Sequence, residues 1–187
     1  MEILKQEIIQ LPMPKSESGK ERKKIALFAQ VKMKMFDFKF NFIVVHLKSK
    51  VKFVDVRTAQ FEELTKFLTK MEDIPSIISG DFNADPVEPA IQSACQMGYH
   101  SVMPTMGNGL YSTAKLRVEP KLGKTAKVIR LIDYIFYRNQ SSATGLKLHP
   151  RCYLQPPMFV DLGEKLLPNA ACPSDHLDLV ADFDLIE

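Results

Sequence analysis

Ile77-Ile-Ser-Gly-Asp-Phe-Asn-Ala-Asp-Pro86 is the stretch on which the reading of the fold turns. The mostly apolar run Ile74 to Ile78 predicts a short buried strand. Gly80 lets the backbone approach a neighbour closely. Asp81 and Asn83 follow two residues apart, and in extended backbone they leave one face together. An ionised Asp offers only acceptors, whereas Asn donates as well as accepts. Such a pair can hold a cation or an attacking water beside a phosphate oxygen. The same residues are also good Asx-turn chemistry, and on this stretch alone the turn is the stronger reading.

Upstream, Asp37-Phe-Lys-Phe-Asn-Phe42 alternates with period two, so Phe38, Phe40 and Phe42 share a face. The strand expected over Phe36 to Val45 runs out into Val45-His46-Leu47-Lys48, which leaves an imidazole and an ammonium at its end. Ile25 to Val31 predicts its antiparallel neighbour, residues 1 to 11 an edge strand, and Pro12 to Lys24 a polar loop. A helix is expected from Asp55, which can cap it, with Val56, Gln60, Leu64, Phe67, Leu68 and Met71 at helical spacing. Arg57 and Gln60 lie one turn apart near its start, and a solvated surface is their default.

Downstream, Pro86 to Met97 predicts a second helix, with prolines in its first turn and Gly98 as its stop. Residues 99 to 127 read as the least regular part and hold Met103-Pro and Gly107-Asn-Gly109. Lys115 and Arg117 stand at i and i+2, so extended backbone points both cations one way; most such pairs are merely solvated, and two aligned cations on a long loop also suit a phosphate. Val128 to Tyr137 is expected as one strong strand, interrupted by Asp133. A carboxylate there is costly without a partner, either a salt bridge or a histidine that it orients. Leu146 to Tyr153 predicts a further strand, and Pro173 to Phe183 a closing one with Asp175 and His176 at its entrance.

Composition narrows the class. The chain has 187 residues, 45% hydrophobic and 25% charged, ordinary values for one globular unit. No run approaches the ~20 apolar residues of a membrane span, and Met1-Glu-Ile-Leu-Lys-Gln-Glu7 lacks the form of a secretory signal. The 3 cysteines, Cys95, Cys152 and Cys172, lack metal-ligand spacing and read as reduced intracellular thiols. A net charge of +3 permits an anionic ligand without demanding one.

The polar residues gather at strand ends: His46 and Lys48, Asp81 and Asn83, Asp133, Asp175 and His176. Together they contain the parts for metal-assisted phosphoester hydrolysis. Carboxylate and carboxamide oxygens suit a hard cation such as Mg²⁺, with Mn²⁺ as a substitute. The cation polarises the phosphoryl oxygen, a carboxylate prepares water, and histidines stabilise the charge that develops. The chain has no Gly-rich phosphate loop, Gly-x-Ser-x-Gly elbow or Rossmann fingerprint.

Val45-His46-Leu47-Lys48, Gly80-Asp-Phe-Asn-Ala84, Leu131-Ile-Asp-Tyr-Ile-Phe136 and Pro173-Ser-Asp-His-Leu177 occur in this order. The series resembles the ordered motifs of the endonuclease/exonuclease/phosphatase superfamily, in particular its CCR4-like branch with nocturnin and the Angel proteins. Tyr111-Ser-Thr-Ala-Lys-Leu-Arg117 and Pro168-Asn-Ala-Ala-Cys-Pro-Ser-Asp-His176 are most similar to the nocturnin subgroup.

The resemblance implies an α+β fold of two mainly antiparallel sheets packed face to face with helices outside, a four-layer sandwich. Residues 1–187 would be the C-terminal portion of one such domain. It further implies that Asp81 orients or deprotonates the attacking water, Asn83 holds the phosphate and His46 binds it from the opposite side. Asp175 would lie by the metal, His176 would contact the phosphate, and Asp133 would orient His176. Lys48, Lys115 and Arg117 would grip a further phosphate.

The family's Asn and magnesium-ligating Glu belong to a segment expected upstream of Met1. The implied substrate is an adenylate, either NADP(H) at its 2′-phosphate or poly(A) RNA from its 3′ end. The alternative is a truncated, inactive nucleotide- or RNA-binding adaptor. A cytoplasmic location is expected, or a mitochondrial one if a targeting segment stands upstream.

Overall fold

The chain is described by a computed structural model over residues 1–14, 23–105, 109–119, 124–139, 145–164 and 166–187. Its elements run β1 (Glu2–Leu11), β2 (Lys24–Met33), β3 (Phe38–His46), α1 (Val54–Leu68), β4 (Ser76–Asp81), α2 (Pro89–Gln96) and β5 (His100–Ser101). They continue as β6 (Thr113–Glu119), β7 (Lys124–Arg130), β8 (Asp133–Arg138), β9 (Lys147–Tyr153) and β10 (Ala181–Ile186). The fold class is α+β, as expected.

Six strands form the main sheet in the order β1-β2-β3-β4-β8-β5, with β1 at an edge. Neighbours are antiparallel except β3 and β4, which run parallel. Parallel strands need a crossover, and α1 supplies it. Both helices pack on one face. Phe61, Leu64 and Leu68 of α1 and Ile91 and Ala94 of α2 join Phe28, Ile43, Val45, Ile78 and Phe136 in one buried cluster. Asn41, Ile43 and Val45 therefore point to the helices, while Phe40 and Phe42 face the other side half-buried.

On that other side lies the pair β9–β10, a second, two-stranded sheet. Phe183 meets Tyr137 edge-on at 5.7 Å, and residues 177–181 with Phe183 line a groove against Phe42, Ile77 and Ile135. The second layer covers only part of the face. Ile8 and Leu27 remain 64% and 48% exposed beside Val44.

Several expectations need correction. Val128–Tyr137 is two strands in different sheets, because the chain leaves the β6–β7 hairpin at Leu131 and enters the main sheet at Asp133. Ser112 Oγ accepts from the amides of Ile132 and Asp133, both at 3.0 Å, and so holds the crossing in place of a ladder. Much of the expected irregular region 99–127 is ordered as β5 and the hairpin. Of Gly107-Asn-Gly109, all but Gly109 lies outside the described residues, as do 15–22 of the first loop. Asp55 sits inside α1, and the residue before the helix, Phe53, makes no side-chain cap. The second helix begins at Pro89, with Gly98 beyond its end. The closing strand starts only at Ala181, so Asp175 and His176 lie on an approach segment.

Candidate active site

Three strands of the main sheet end in a row. His46 is paired with Asp81 in the parallel β3–β4 register, and Asp81 with Asp133 in the antiparallel β4–β8 register. The row depends on Gly80. At its φ of +134°, a Cβ would sit 2.0 Å from the carbonyl oxygen of Val45, so only glycine lets β4 lie this close to β3.

After Asp81 the strand stops. The Asn83 amide donates to Asp81 Oδ1 at 2.7 Å, which is an Asx turn, and Asn83 takes a φ of 51°. The turn brings the two side chains together: Asn83 Nδ2 donates to Asp81 Oδ2 at 2.9 Å and to the Leu47 carbonyl at 3.2 Å. Persistence of the strand is thus not the reason they meet. His46 Nε2 stands 3.6 Å from Asp81 Oδ2.

Asp133 is half-buried. Its Oδ2 accepts from Ser112 Oγ at 2.7 Å and lies 2.9 Å from His176 Nδ1. Burial pushes its carboxyl above the usual carboxylate range, and the charge of Asp81 adds to this; the bonds from Ser112 and His176 oppose it. Of the two partners considered for Asp133, the structure provides the histidine.

The β6–β7 hairpin positions His176. Bridges join Thr113 to His176 and Lys115 to Leu167, and the Leu177 amide donates to the Ser112 carbonyl at 2.8 Å. Thr113 Oγ1 donates to the Asp175 carbonyl at 2.6 Å. Lys115 and Arg117 share the face of β6 that carries Thr113. Lys115 Nζ is bonded to Asp175 Oδ2, and that bond holds the Asp175 carboxyl below its usual range. Ala114 points the opposite way, fully buried with Tyr111, Leu162, Leu166 and Leu167.

The structure therefore brings His46, Asp81, Asn83, Asp133 and His176 together, and places Asp175 with Lys115 on the adjoining segment. Lys48 Nζ lies 4.1 Å from the Phe53 ring centroid, at the exit of β3. Arg117 carries its charge further along the hairpin.

Arg57 and Gln60 are buried completely, which overturns their assignment to a solvated surface. Arg57 donates to Glu88 Oε2 from Nε (2.8 Å) and Nη2 (2.6 Å), and to the carbonyls of Lys48 and Lys50 at 3.0 and 2.8 Å. Arg130 grips Asp85 with two bonds of 2.9 and 2.7 Å. These residues fix the loops on both sides of Asn83. Sequence reading missed Glu88, Arg130 and Ser112, and the one available sign was an unpaired charge inside an apolar pattern.

Asp81, Asp133 and His176 each offer a ligand atom within 4.8 Å of the others. Among the described residues no Lys or Arg is paired to either of these two facing carboxylates, which leaves negative charge unbalanced, so this donor set fits a hard divalent cation.

No family model matches the chain. It is 30% identical over 156 residues to nocturnin of Xenopus laevis, covering 78% of this chain and 37% of that protein. The chain spans about a third of the length of the curated relatives it matches. The catalytic domain of human nocturnin, solved with a bound sulfate anion, superposes with a TM-score of 0.67 at 24% identity, covering 99% of this chain and 60% of that one. An endonuclease/exonuclease/phosphatase from Bacteroides vulgatus superposes with a TM-score of 0.63 at 16% identity, covering 99% and 66%. The fold is thus the one seen in endonuclease/exonuclease/phosphatase proteins. Within that class, the chain's similarity is to the nocturnins, as its motifs indicated.

Proposed function

We propose that residues 1–187 are the C-terminal portion of one endonuclease/exonuclease/phosphatase domain, a metal-dependent phosphoester hydrolase of the nocturnin type acting on an adenylate. The row His46–Asp81–Asp133, closed by His176, carries the proposal. A bound Mg²⁺ or Mn²⁺ would supply Lewis-acid polarisation of the phosphoryl oxygen. On the motif resemblance Asp175 would be one of its carboxylate ligands. The Asp81–Asp133–His176 cluster is the part of this chain whose atoms are already close enough to share an ion.

The chain's own side chains do the remaining work. Asp81, held by two bonds from Asn83, accepts the proton of the attacking water. Asn83 and His46 hold the phosphate from either side of that carboxylate. Asp133 fixes the ring of His176 through Nδ1 and supports its imidazolium, the form in which Nε2–H donates to oxygen as charge develops. Lys48, Lys115 and Arg117 attract further phosphate. The sulfate bound by the human nocturnin domain supports an anion site in this fold.

The substrate is NADP(H) at its 2′-phosphate or poly(A) from its 3′ end. The test is to isolate the endogenous protein at its natural length and assay phosphate release from NADP⁺ and shortening of oligoadenylate, with Mg²⁺ and with chelator. One of the two activities is expected, lost on chelation and reduced about 10²-fold or more by His176→Ala. Binding of both ligands with hydrolysis of neither overturns the enzyme reading in favour of a nucleotide- or RNA-binding adaptor.

A further inference from the structure

Ser112 stands directly before β6 and is fully buried. Its backbone is tied on both sides. The amide donates to the Arg130 carbonyl at 2.9 Å, and the carbonyl accepts from the Leu177 amide at 2.8 Å, the residue after His176. Its side chain reaches the other way, to Asp133. One buried residue thus holds both the strand that carries Asp133 and the segment that carries His176.

The bonding capacity of the hydroxyl sets the direction of each bond it makes. A serine oxygen has two lone pairs and one proton. The amides of Ile132 and Asp133, each 3.0 Å away, can only donate, and together they occupy both lone pairs. The one proton is left for Asp133 Oδ2 at 2.7 Å. His176 Nδ1 lies 2.9 Å from that same oxygen. An ionised carboxylate oxygen only accepts, so the proton of this bond stands on the imidazole. Two amides at the crossing between β7 and β8 thereby act, through one hydroxyl and one carboxylate, on which ring nitrogen of His176 is protonated.

We infer that Ser112 is a positioning residue of the site: its hydroxyl locks the Asp133 carboxylate so that Nδ1 of His176 keeps its proton in the neutral ring. It is then Nε2 that gains the second proton and makes the donating imidazolium. The inference rests on the hydrolase reading for its consequence and adds a residue that acts only through Asp133. Without the hydroxyl, the two amides lose their acceptor. The Asp133 carboxylate, one bond away, is drawn toward them and off Nδ1.

The ring itself is the probe. The natural-length protein, carrying isotope-labelled histidine and kept in chelator, reports by proton–nitrogen NMR which nitrogen is protonated in the neutral ring, and His176→Ala assigns the signal. Wild type and Ser112→Thr are expected to show the Nδ1–H form, and Ser112→Ala a mixture in which the Nε2–H form appears. In the phosphate-release and oligoadenylate assays, Ser112→Ala should lower kcat about tenfold or more with KM within about twofold, and Ser112→Thr should restore it. Thermal melts show which variants are folded. If Ser112→Ala is not, Ser112→Cys replaces it, with a similar shape but a weak donor and acceptor.

A wild-type ring protonated on Nε2 overturns the inference. So does a folded Ser112→Ala protein that hydrolyses substrate with a wild-type ring or with kcat within about twofold of wild type; the hydroxyl then does no more than satisfy two amides. Because the NMR readout needs no catalysis, a Ser112-dependent ring in a protein that hydrolyses nothing leaves the positioning of His176 standing and sinks the hydrolase reading. Hydrolysis with ring and kcat both indifferent to Ser112 does the reverse.

Discussion

Asp81 and Asp133 stand directly opposite one another in the β4–β8 pairing, and neither has a Lys or Arg partner within ion-pair distance among the described residues. Like charges at opposed positions of a sheet are unfavourable. Here the conflict is concentrated on Asp133, whose carboxyl is raised first by burial and further by Asp81. Ser112 and His176 offset part of the cost and fix the ring of His176 at the same time.

The pH dependence of stability follows from that shift. A carboxyl raised in the folded state holds its proton more tightly there than in the unfolded chain. Its contribution is favourable in acid and is lost as pH rises from the ordinary carboxylate range through the raised folded value. Asp133→Asn keeps an acceptor for Ser112 and His176 but carries no charge. Urea unfolding at neutral pH should find Asp133→Asn no less stable than wild type, with the difference closing as pH falls into the carboxylate range. Hydrolysis should drop about 10²-fold or more, because the charge that supports an imidazolium is gone. A clear loss of stability at neutral pH would show that the carboxylate stabilises the fold.

Gly80 offers a second test, because it controls how closely β4 approaches β3. A methyl group added there would overlap the Val45 carbonyl oxygen, 2.0 Å away, and the backbone φ of +134° disfavours any side chain. Gly80→Ala should destabilise the chain by about 3 kcal/mol or more, as strained positions in a packed sheet do. It should also disturb the neighbouring His46–Asp81 pair, which follows Val45 and Gly80 by one residue in the register. Thermal melting checks the first effect. A Gly80→Ala protein with wild-type melting behaviour contradicts the close approach.

How much was legible in the sequence depends on whether a residue's partner lies near it along the chain. Asp81 and Asn83 announced themselves because they end an apolar run, and Lys115 and Arg117 because the period of a strand aligns them. The site row was visible as strand ends, though not its lateral order, since periodicity does not say which strands adjoin. The same limit explains the Val128–Tyr137 error: an apolar run looks alike whether it stays in one sheet or passes between two. Arg57 and Gln60 were misread because their partners are backbone carbonyls and amides and, for Arg57, a distant carboxylate, none of which leaves a local sequence signature. Arg57 and Glu88 are 31 residues apart, and Arg130 and Asp85 are 45.

Arg57 carries the third prediction. Its guanidinium is fully buried and bonded to Glu88 and two carbonyls. Removing it takes both charge-assisted bonds from Glu88 Oε2 and leaves that carboxylate, among the described residues, only the Arg130 guanidinium at 3.6 Å and the Asp85 amide at 3.3 Å. Arg57→Ala should cost about 3–5 kcal/mol in denaturant unfolding. Arg57→Lys should recover only part, because an ammonium cannot reproduce the fork that reaches Glu88 and the loop together. A loss below about 1 kcal/mol for Arg57→Ala would mean that the network is solvated and dispensable.

Lys115 and Asp175 make the last prediction, because the same ion pair has opposite effects on two ligands. Asp175 is depressed by its bond to Lys115, so its favourable contribution is present above the ordinary carboxylate range and is lost as pH falls below it through the folded value. A divalent cation approaching Asp175 must displace or repel that ammonium, whereas a phosphate is attracted by it. Lys115→Gln should therefore raise the affinity for Mn²⁺, measured by calorimetry or by the spin signal of the free ion, and lower the affinity for pyrophosphate. The Asp175 carboxyl should move back up toward its ordinary range, which carbon-13 NMR of the carboxyl resonances can follow. If Mn²⁺ affinity is unchanged or falls, Asp175 takes no part in holding the ion. The cluster of Asp81, Asp133 and His176 would then be this chain's metal ligands, and Lys115 would serve the substrate alone.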